Sequence, residues 1–110
     1  MSDRRLFQRF LVKLPLKYLA QDNEKENSGN THDISAQGIG LVVEEEIRPE
    51  TPLDMRLEIP DKGAPLEIRG KVSWVSKTEA GKFRVGVNLD RPNPMGFSRI
   101  LRIAERLKAS

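Results

Sequence analysis

"LDMRLEIPDKGAPLEIRGKVSWVSK", residues 53–77, contains two runs of alternating apolar and polar side chains separated by a turn. In residues 53–59 every second side chain is apolar and charged residues stand between them, which predicts a strand with one buried face. Glycine and proline in residues 61–65 predict the turn. The run 66–77 resumes the same period, and Gly70 marks a bend within it. The stretch therefore predicts an antiparallel hairpin.

The alternation continues on both sides of this hairpin. Further strands are predicted from Phe10 to Tyr18, near Thr31, in residues 39–47 and in residues 82–90. Pro15 lies at an edge or a bulge, because it cannot donate a ladder hydrogen bond. Residues 21–30, "QDNEKENSGN", are predicted to be a polar loop without core residues.

The period changes near the C-terminus. Asn93 is a candidate N-cap, Pro94 suits the first helical position, and the apolar residues that follow recur about every 3.6 positions. Strands at this regular spacing favour a closed barrel, because closure removes exposed edges. The predicted fold is all-β: a six-stranded antiparallel β-barrel over residues 10–90 with a C-terminal α-helix over residues 93–108.

Composition limits the function. The chain has 110 residues, enough for one domain with a modest core, and its lack of cysteine excludes disulfides and thiolate catalysis. His32 is the sole histidine, and beside Asp33 it lacks both a nucleophile and a zinc-ligand set. Residues 44–46, three glutamates, alternate between strand faces and do not converge on a metal. We therefore expect a protein that is not an enzyme and has no cofactor.

The chain shows no signal-peptide pattern and no apolar run near the roughly 20 residues that span a bilayer. We expect a cytoplasmic protein without membrane insertion. Charge is unevenly distributed: residues 1–20 and 91–110 each carry +4, and residues 21–90 carry −5. Two basic ends on a weakly acidic body indicate a local anionic partner, or else two solvated tails.

Two short stretches carry recognition chemistry. "RRLFQR", residues 4–9, supplies three arginines, and "DISAQG", residues 33–38, supplies an acid and a hydroxyl of the same strand parity. Guanidinium groups bind phosphates and the Hoogsteen edge of guanine, and a carboxylate accepts hydrogen bonds from guanine N–H groups. A guanine nucleotide satisfies this set. The alternative is that Asp33 and Ser35 stabilise a turn in which Gly38 supplies a positive φ.

Together the two stretches resemble the RxxxR and [D/N]xSxxG motifs of PilZ domains, bacterial receptors for the second messenger cyclic di-GMP. The resemblance extends to "KVSWV", residues 71–75, and "FRVGVNL", residues 83–89, and it makes residues 1–110 a single PilZ-like domain. It implies a six-stranded antiparallel barrel with a C-terminal helix, which agrees with the layout above.

The resemblance also implies the ligand contacts. Arg5 and Arg9 match the motif arginines, which bind phosphate and the guanine Hoogsteen edge in the family. In the second motif, the matching residues are Asp33, Ser35 and Gly38. Arg4 matches the position that the family associates with two stacked ligand molecules per chain, and two cyclic dinucleotides carry charge that a third guanidinium helps to compensate.

Other residues are candidates for peripheral contacts. Arg69 and Arg84 point outward by strand parity and either complete an anion-binding patch or remain solvated. Trp74 either stacks on a base or packs in the core, and its parity with Val72 favours the core. His32 borders Asp33 in sequence, which favours coincidence over a role in the site.

The expected mechanism is ligand-driven ordering. Residues 1–9 form a mobile arm that closes over the ligand and changes the surface offered to an unidentified downstream effector, as in a stand-alone adaptor. Two alternatives stay open. One is an interaction module of the same fold without ligand, and the other is a small oligonucleotide-binding barrel, which the low aromatic content of 5% disfavours.

Overall fold

The computed structural model describes residues 9–21 and 25–109. The strands and the helix within these ranges are, in chain order, β1 (Phe10–Leu11), β2 (Pro15–Ala20), β3 (Asn27–Ile34), β4 (Gly38–Val43), β5 (Pro52–Leu57), β6 (Leu66–Lys77), β7 (Phe83–Leu89) and α1 (Pro94–Ala109).

The strands form one antiparallel sheet that closes on itself. β3 pairs with β2 on one side and with β4 on the other, so six of the described strands make a ring in the order β3-β2-β5-β6-β7-β4. β1 lies beside β2 along the same edge of β3, with Phe10 opposite Ile34 and Leu11 opposite Asp33. The predicted six-stranded antiparallel barrel with a C-terminal helix is confirmed, and β1 is an additional short strand.

One hydrophobic core fills the barrel. In β5, Leu53, Met55 and Leu57 are almost fully buried, whereas Asp54 and Arg56 between them are exposed. Each such buried side chain contributes about 1.5–3 kcal/mol relative to its exposed state. The inner face of the sheet therefore provides most of the stabilisation, and the outer face is available for other interactions.

The helix packs its apolar stripe against this core. Ile100 and Ile103 belong to the buried cluster, and the Phe97 ring lies 5.6 Å from the Phe10 ring, measured between centroids. The predicted N-cap is confirmed, because Asn93 Oδ1 accepts a hydrogen bond from the Gly96 amide at 2.9 Å. The helix begins and ends one residue after the predicted bounds.

The start of β3 differs from the sequence prediction. Residues 27–30 were expected in a loop, but they pair with β2, with Leu16 opposite Gly29. Gly29 permits close packing here, because a Cβ on it would lie 2.9 Å from a methyl carbon of Val43. The strand is formed by pairing with both neighbours, and its polar sequence carries no apolar alternation from which to predict it.

The predicted first strand is interrupted at residues 12–14. Backbone hydrogen bonds still cross the break, from the Val12 amide to the His32 carbonyl at 3.3 Å and from the Thr31 amide to the Leu14 carbonyl at 2.9 Å. The buried Thr31 side chain adds to them, because its hydroxyl donates to the Val12 carbonyl and accepts from the Leu14 amide at 2.8 Å. The side chains of Val12 and Leu14 still point into the core. The inward parity predicted for this segment is therefore retained across the break.

The prediction that Trp74 packs in the core is wrong. The register of β6 against β7 shifts between Val72 and Trp74, which face Val87 and Gly86, so Ser73 is an extra residue. Such a bulge reverses the parity of the residues that follow it. Val75 therefore points inward, and Trp74 lies on the outer face with 43% of its surface exposed.

A bidentate ion pair ties the helix to the β5–β6 connection. Arg99 donates from Nε and Nη2 to the two carboxylate oxygens of Asp61, both at 2.9 Å, and from Nη2 to the Ala64 carbonyl at 2.8 Å. The Arg99 guanidinium, together with the Gly63 amide, lowers the pKa of Asp61 from 3.8 to about 2. Residues 61–64 are thus held against α1.

This pKa shift predicts how the stability of the fold depends on pH. The folded-state pKa of Asp61 lies below its unfolded value, so the contribution of the pair is complete above pH 3.8 and is lost as the pH falls toward 2. Urea denaturation between pH 5 and pH 2 should show a steeper loss of unfolding free energy in the wild type than in Asp61→Asn. Parallel curves for the two proteins would contradict the prediction.

Candidate functional site

A row of four residues crosses four neighbouring strands on the outer face of the barrel. Asp33 on β3 faces Gly40 on β4, which faces Gly86 on β7, which in turn faces Trp74 on β6. A Cβ on Gly40 would lie 2.7 Å from a carboxylate oxygen of Asp33, and one on Gly86 would lie 2.1 Å from the indole nitrogen of Trp74. The two glycines therefore let an acid and an aromatic ring lie flat against the wall.

The two motif stretches meet beside this row. Nη1 of Arg9 forms an ion pair with Oδ1 of Asp33, 24 residues away in sequence. The same guanidinium lies over Gly38, where a Cβ would be 3.0 Å from Nη2 of Arg9. A side chain at position 38 would thus crowd Arg9. The alternative role of Gly38, a positive φ, is wrong, because Gly81 is the one glycine with positive φ among the described residues.

Ser35 organises the turn between β3 and β4. The side chain is buried, and its hydroxyl accepts hydrogen bonds from the amides of Gly38 at 3.0 Å and Gln37 at 3.3 Å. This geometry matches the turn-stabilising alternative for Ser35. Two further hydrogen bonds anchor the turn, because the carbonyls of Gln37 and Ala36 accept from the amides of Leu89 and Asn93, at 2.8 Å each.

Two side chains complete the surroundings of the Asp33 carboxylate. Nδ1 of His32 lies 2.8 Å from Oδ2 of Asp33 and 3.2 Å from Nη2 of Arg84, and that Nη2 lies 3.7 Å from the same Oδ2. Arg84 also lies over the Trp74 ring, with Cζ 5.8 Å from the centroid, within cation–π range. His32 is therefore more than a sequence neighbour of Asp33, because its ring contacts both charged groups.

The remaining candidates are placed differently. Arg69 is exposed and donates to Asp54 on β5 at 2.6 Å, so the predicted peripheral arginine is already paired on another part of the wall. Arg4 and Arg5 lie outside the described residues. Within the described ranges, no cluster of acidic or histidine side chains is suited to hold a metal ion. In the same ranges, no helix has the length and apolar character to cross a membrane.

Sequence reasoning missed Gly40 and Gly86 as contributors to this surface, and it treated the position of His32 as a coincidence of sequence. A glycine inside a strand is a signal for close approach of another group, and residues 38–40, "GIG", and 85–87, "VGV", both carry it. The contacts of His32 depend on a bulge in β3, where the register shifts between Thr31 and Asp33. A β-bulge of this kind leaves no mark in the sequence.

The comparisons with known proteins decide the family. The family model for the PilZ domain matches residues 3–106. The chain belongs to the PilZ domain family. The residues that resemble the two PilZ motifs lie within this match, which covers nearly the whole chain. The search of curated proteins found no match.

Solved PilZ structures share the fold at low sequence identity. The PilZ domain of YcgR from Escherichia coli, solved with c-di-GMP, superposes with a TM-score of 0.77 at 13% identity, covering 96% of this chain and 95% of that one. The Bacillus subtilis inhibitor of motility MotI gives 0.75 at 16%, covering 97% and 52%. The K. pneumonia MrkH–c-di-GMP complex gives 0.64 at 15%, covering 98% and 54%. This chain spans about half the length of the latter two.

The glycine contacts predict a selective displacement of Trp74. In Gly86→Ala the added methyl must push the indole off the wall, because it would lie 2.1 Å from the ring nitrogen. Trp74 is the sole tryptophan, so its emission reports this directly: we expect a shift to longer wavelength and stronger acrylamide quenching in the folded variant.

Gly40→Ala is the matched control for this prediction. It adds the same methyl on the adjacent strand, but the atoms it meets belong to Asp33 rather than to Trp74. Emission should therefore change much less than in Gly86→Ala, because Asp33 reaches Trp74 only through Arg84. Equal shifts in both variants, or none in Gly86→Ala, would contradict the packing described here.

Proposed function

We propose that this PilZ domain is a receptor for cyclic di-GMP that binds the ligand on the outer wall of the barrel. The observation that carries the proposal is the ion pair between Arg9 and Asp33, which joins the two motif stretches at the Gly38 turn. The family match supports it, as does the fold shared with a YcgR PilZ domain solved with c-di-GMP.

The available groups match the chemistry of a guanine nucleotide. Arg9 donates to phosphate oxygens or to the O6 and N7 acceptors of guanine, and the Asp33 carboxylate accepts from the N1 and N2 donors. The carboxylate retains acceptor capacity while it is paired, because its two oxygens offer about four lone-pair sites. Arg84 and the exposed face of Trp74 add a second guanidinium and a stacking surface next to it.

The N-terminal residues complete the proposed site. Arg5 joins Arg9 in gripping the ligand, and the arm formed by residues 1–9, whose last residue Arg9 already pairs with Asp33, closes over the ligand as phosphates neutralise its like charges. Arg4 supplies the additional charge that a second ligand molecule requires, giving two molecules per chain. Ser35 contributes through the turn that it holds, rather than through a hydroxyl exposed to the ligand.

Backbone hydrogen bonds connect this turn to the helix and to β7. The carbonyl of Ala36 accepts from the amide of Asn93, the residue that caps α1, and the carbonyl of Gln37 accepts from Leu89 at the end of β7. A ligand that presses on the turn therefore acts directly on the start of the helix. The closed arm and the adjacent helix together form the surface that an unidentified effector protein would recognise.

Calorimetric titration tests the proposal. Cyclic di-GMP should give saturable heat at micromolar wild-type protein, and Arg9→Ala should bind at least about 100-fold more weakly. The reason is that a bidentate guanidinium loses two charge-assisted hydrogen bonds, each worth about 1.5–3 kcal/mol. Arg56→Ala is the control. Arg56 is an exposed arginine on β5, which pairs with β2 on the side away from β3, and it forms an ion pair with Glu26 at 3.3 Å.

Three results would contradict it: no heat with the wild type, equal weakening in Arg9→Ala and Arg56→Ala, or binding of short single-stranded DNA in place of the dinucleotide. The last result, with affinity that falls steeply as salt rises, would favour an oligonucleotide-binding barrel instead.

The stoichiometry gives a separate prediction for Arg4. The same titration should show about two molecules per wild-type chain and about one in Arg4→Ala, because removal of one positive charge leaves the four negative charges of two ligands less compensated. Arg56→Ala should retain two. A wild-type value of one, or a value of two in Arg4→Ala, would overturn the role assigned to this residue.

A further inference from the structure

His32 occupies an unusual position in the wall of the site. The register of β3 against β4 shifts between Thr31 and Asp33, so His32 is the extra residue of a bulge. Its side chain is partly exposed, at 38%, next to the carboxylate of Asp33, which is 13% exposed. It is the sole histidine of the chain and belongs to neither motif stretch.

One ring nitrogen of His32 lies close to a hydrogen-bond acceptor and to a hydrogen-bond donor. Nδ1 lies 2.8 Å from Oδ2 of Asp33 and 3.2 Å from Nη2 of Arg84. A carboxylate accepts and a guanidinium donates, so Nδ1 bonds Asp33 when it carries a hydrogen and bonds Arg84 when it does not. A single nitrogen cannot do both at once. The hydrogen on Nδ1 therefore selects the partner: the protonated ring always carries it, and only the neutral tautomer with its hydrogen on Nε2 leaves Nδ1 free to accept from Arg84.

The hydrogen-bonding state of His32 determines how firmly Arg84 is held. Its Nε is buried without a hydrogen-bond partner among the described residues, and its Nη2 has as near neighbours the His32 ring and, at 3.7 Å, Asp33. Neutral His32 with its hydrogen on Nε2 offers Nδ1 as an acceptor that holds the guanidinium beside Trp74. Protonated His32 withdraws that acceptor and places a like charge next to it.

We propose that His32 is a positioning residue of the ligand site: its neutral tautomer with the hydrogen on Nε2 holds Arg84 on the wall, and its protonated form holds Asp33 and frees Arg84 for the ligand. The proposal rests on the function proposed above. The groups that face His32 are Asp33 on β3, Arg84 on β7 and, through Asp33, Arg9 before β1.

The sign of the effect on binding follows from the ligand charge. A cyclic dinucleotide brings two phosphate charges, which favour the protonated ring, so binding takes up a proton. Affinity should therefore rise several-fold as the pH falls from 8 to 5.5.

The main test is calorimetric titration of the wild type and of His32→Asn with cyclic di-GMP between pH 5.5 and pH 8. Asparagine keeps a polar atom near the position of Nδ1 but does not titrate. The wild type should show the several-fold change and proton uptake, measured in buffers of different ionisation enthalpy, whereas His32→Asn should show neither. Equal pH dependence in the two proteins would overturn the proposal.

A second measurement needs no ligand and separates this proposal from the receptor function. Movement of Arg84 changes the surroundings of the sole tryptophan, so Trp74 emission of the free wild type should titrate with the pKa read from the single histidine ring signal by NMR. His32→Asn should show no such step. If no ligand binds at any pH, the receptor function fails; if emission is flat while the ring titrates, the positioning role fails.

Discussion

The pairing of β3 with β4 is the interaction on which the site depends. It closes the barrel, and it carries both irregularities that shape the DISAQG segment: the bulge at His32 and the turn held by Ser35. Because the strands are joined by so short a turn, Asp33 faces Gly40 on the outer wall while Ile34 stays in the core. The same strand pairing therefore closes the barrel and places the carboxylate of Asp33 on its outer face.

Missing side chains are as important to this surface as those that are present. Gly38, Gly40 and Gly86 have outward positions on β4 and β7, and the volume that a Cβ would take is filled by Arg9, by Asp33 and by Trp74. These three side chains therefore lie along the sheet instead of extending into solvent. A flat wall with polar and aromatic groups lying on it suits a planar nucleobase, which binds by stacking and by hydrogen bonds along its edge.

The charges of the free protein are arranged around one carboxylate. Asp33 faces Arg9 from one side and His32 with Arg84 from the other, and it is the least exposed charged group of the four. Partial burial makes these contacts less screened than the exposed pair between Arg69 and Asp54. In the proposed function an anionic ligand would compete for the arginines and rearrange this network, and the Asn93 hydrogen bond links the DISAQG turn to α1.

The all-β barrel, its inward residues and the helix could be predicted from sequence alone, since a period of two or of 3.6 records which side chains face the core. The RxxxR and DxSxxG patterns likewise identified Arg9 and Asp33 as candidates. The outward turn of Trp74 and the contacts of His32 were decided by tertiary structure, because one extra residue in β6 and one in β3 change strand parity. Such a bulge is set by pairing with a neighbouring strand, and no local pattern encodes it.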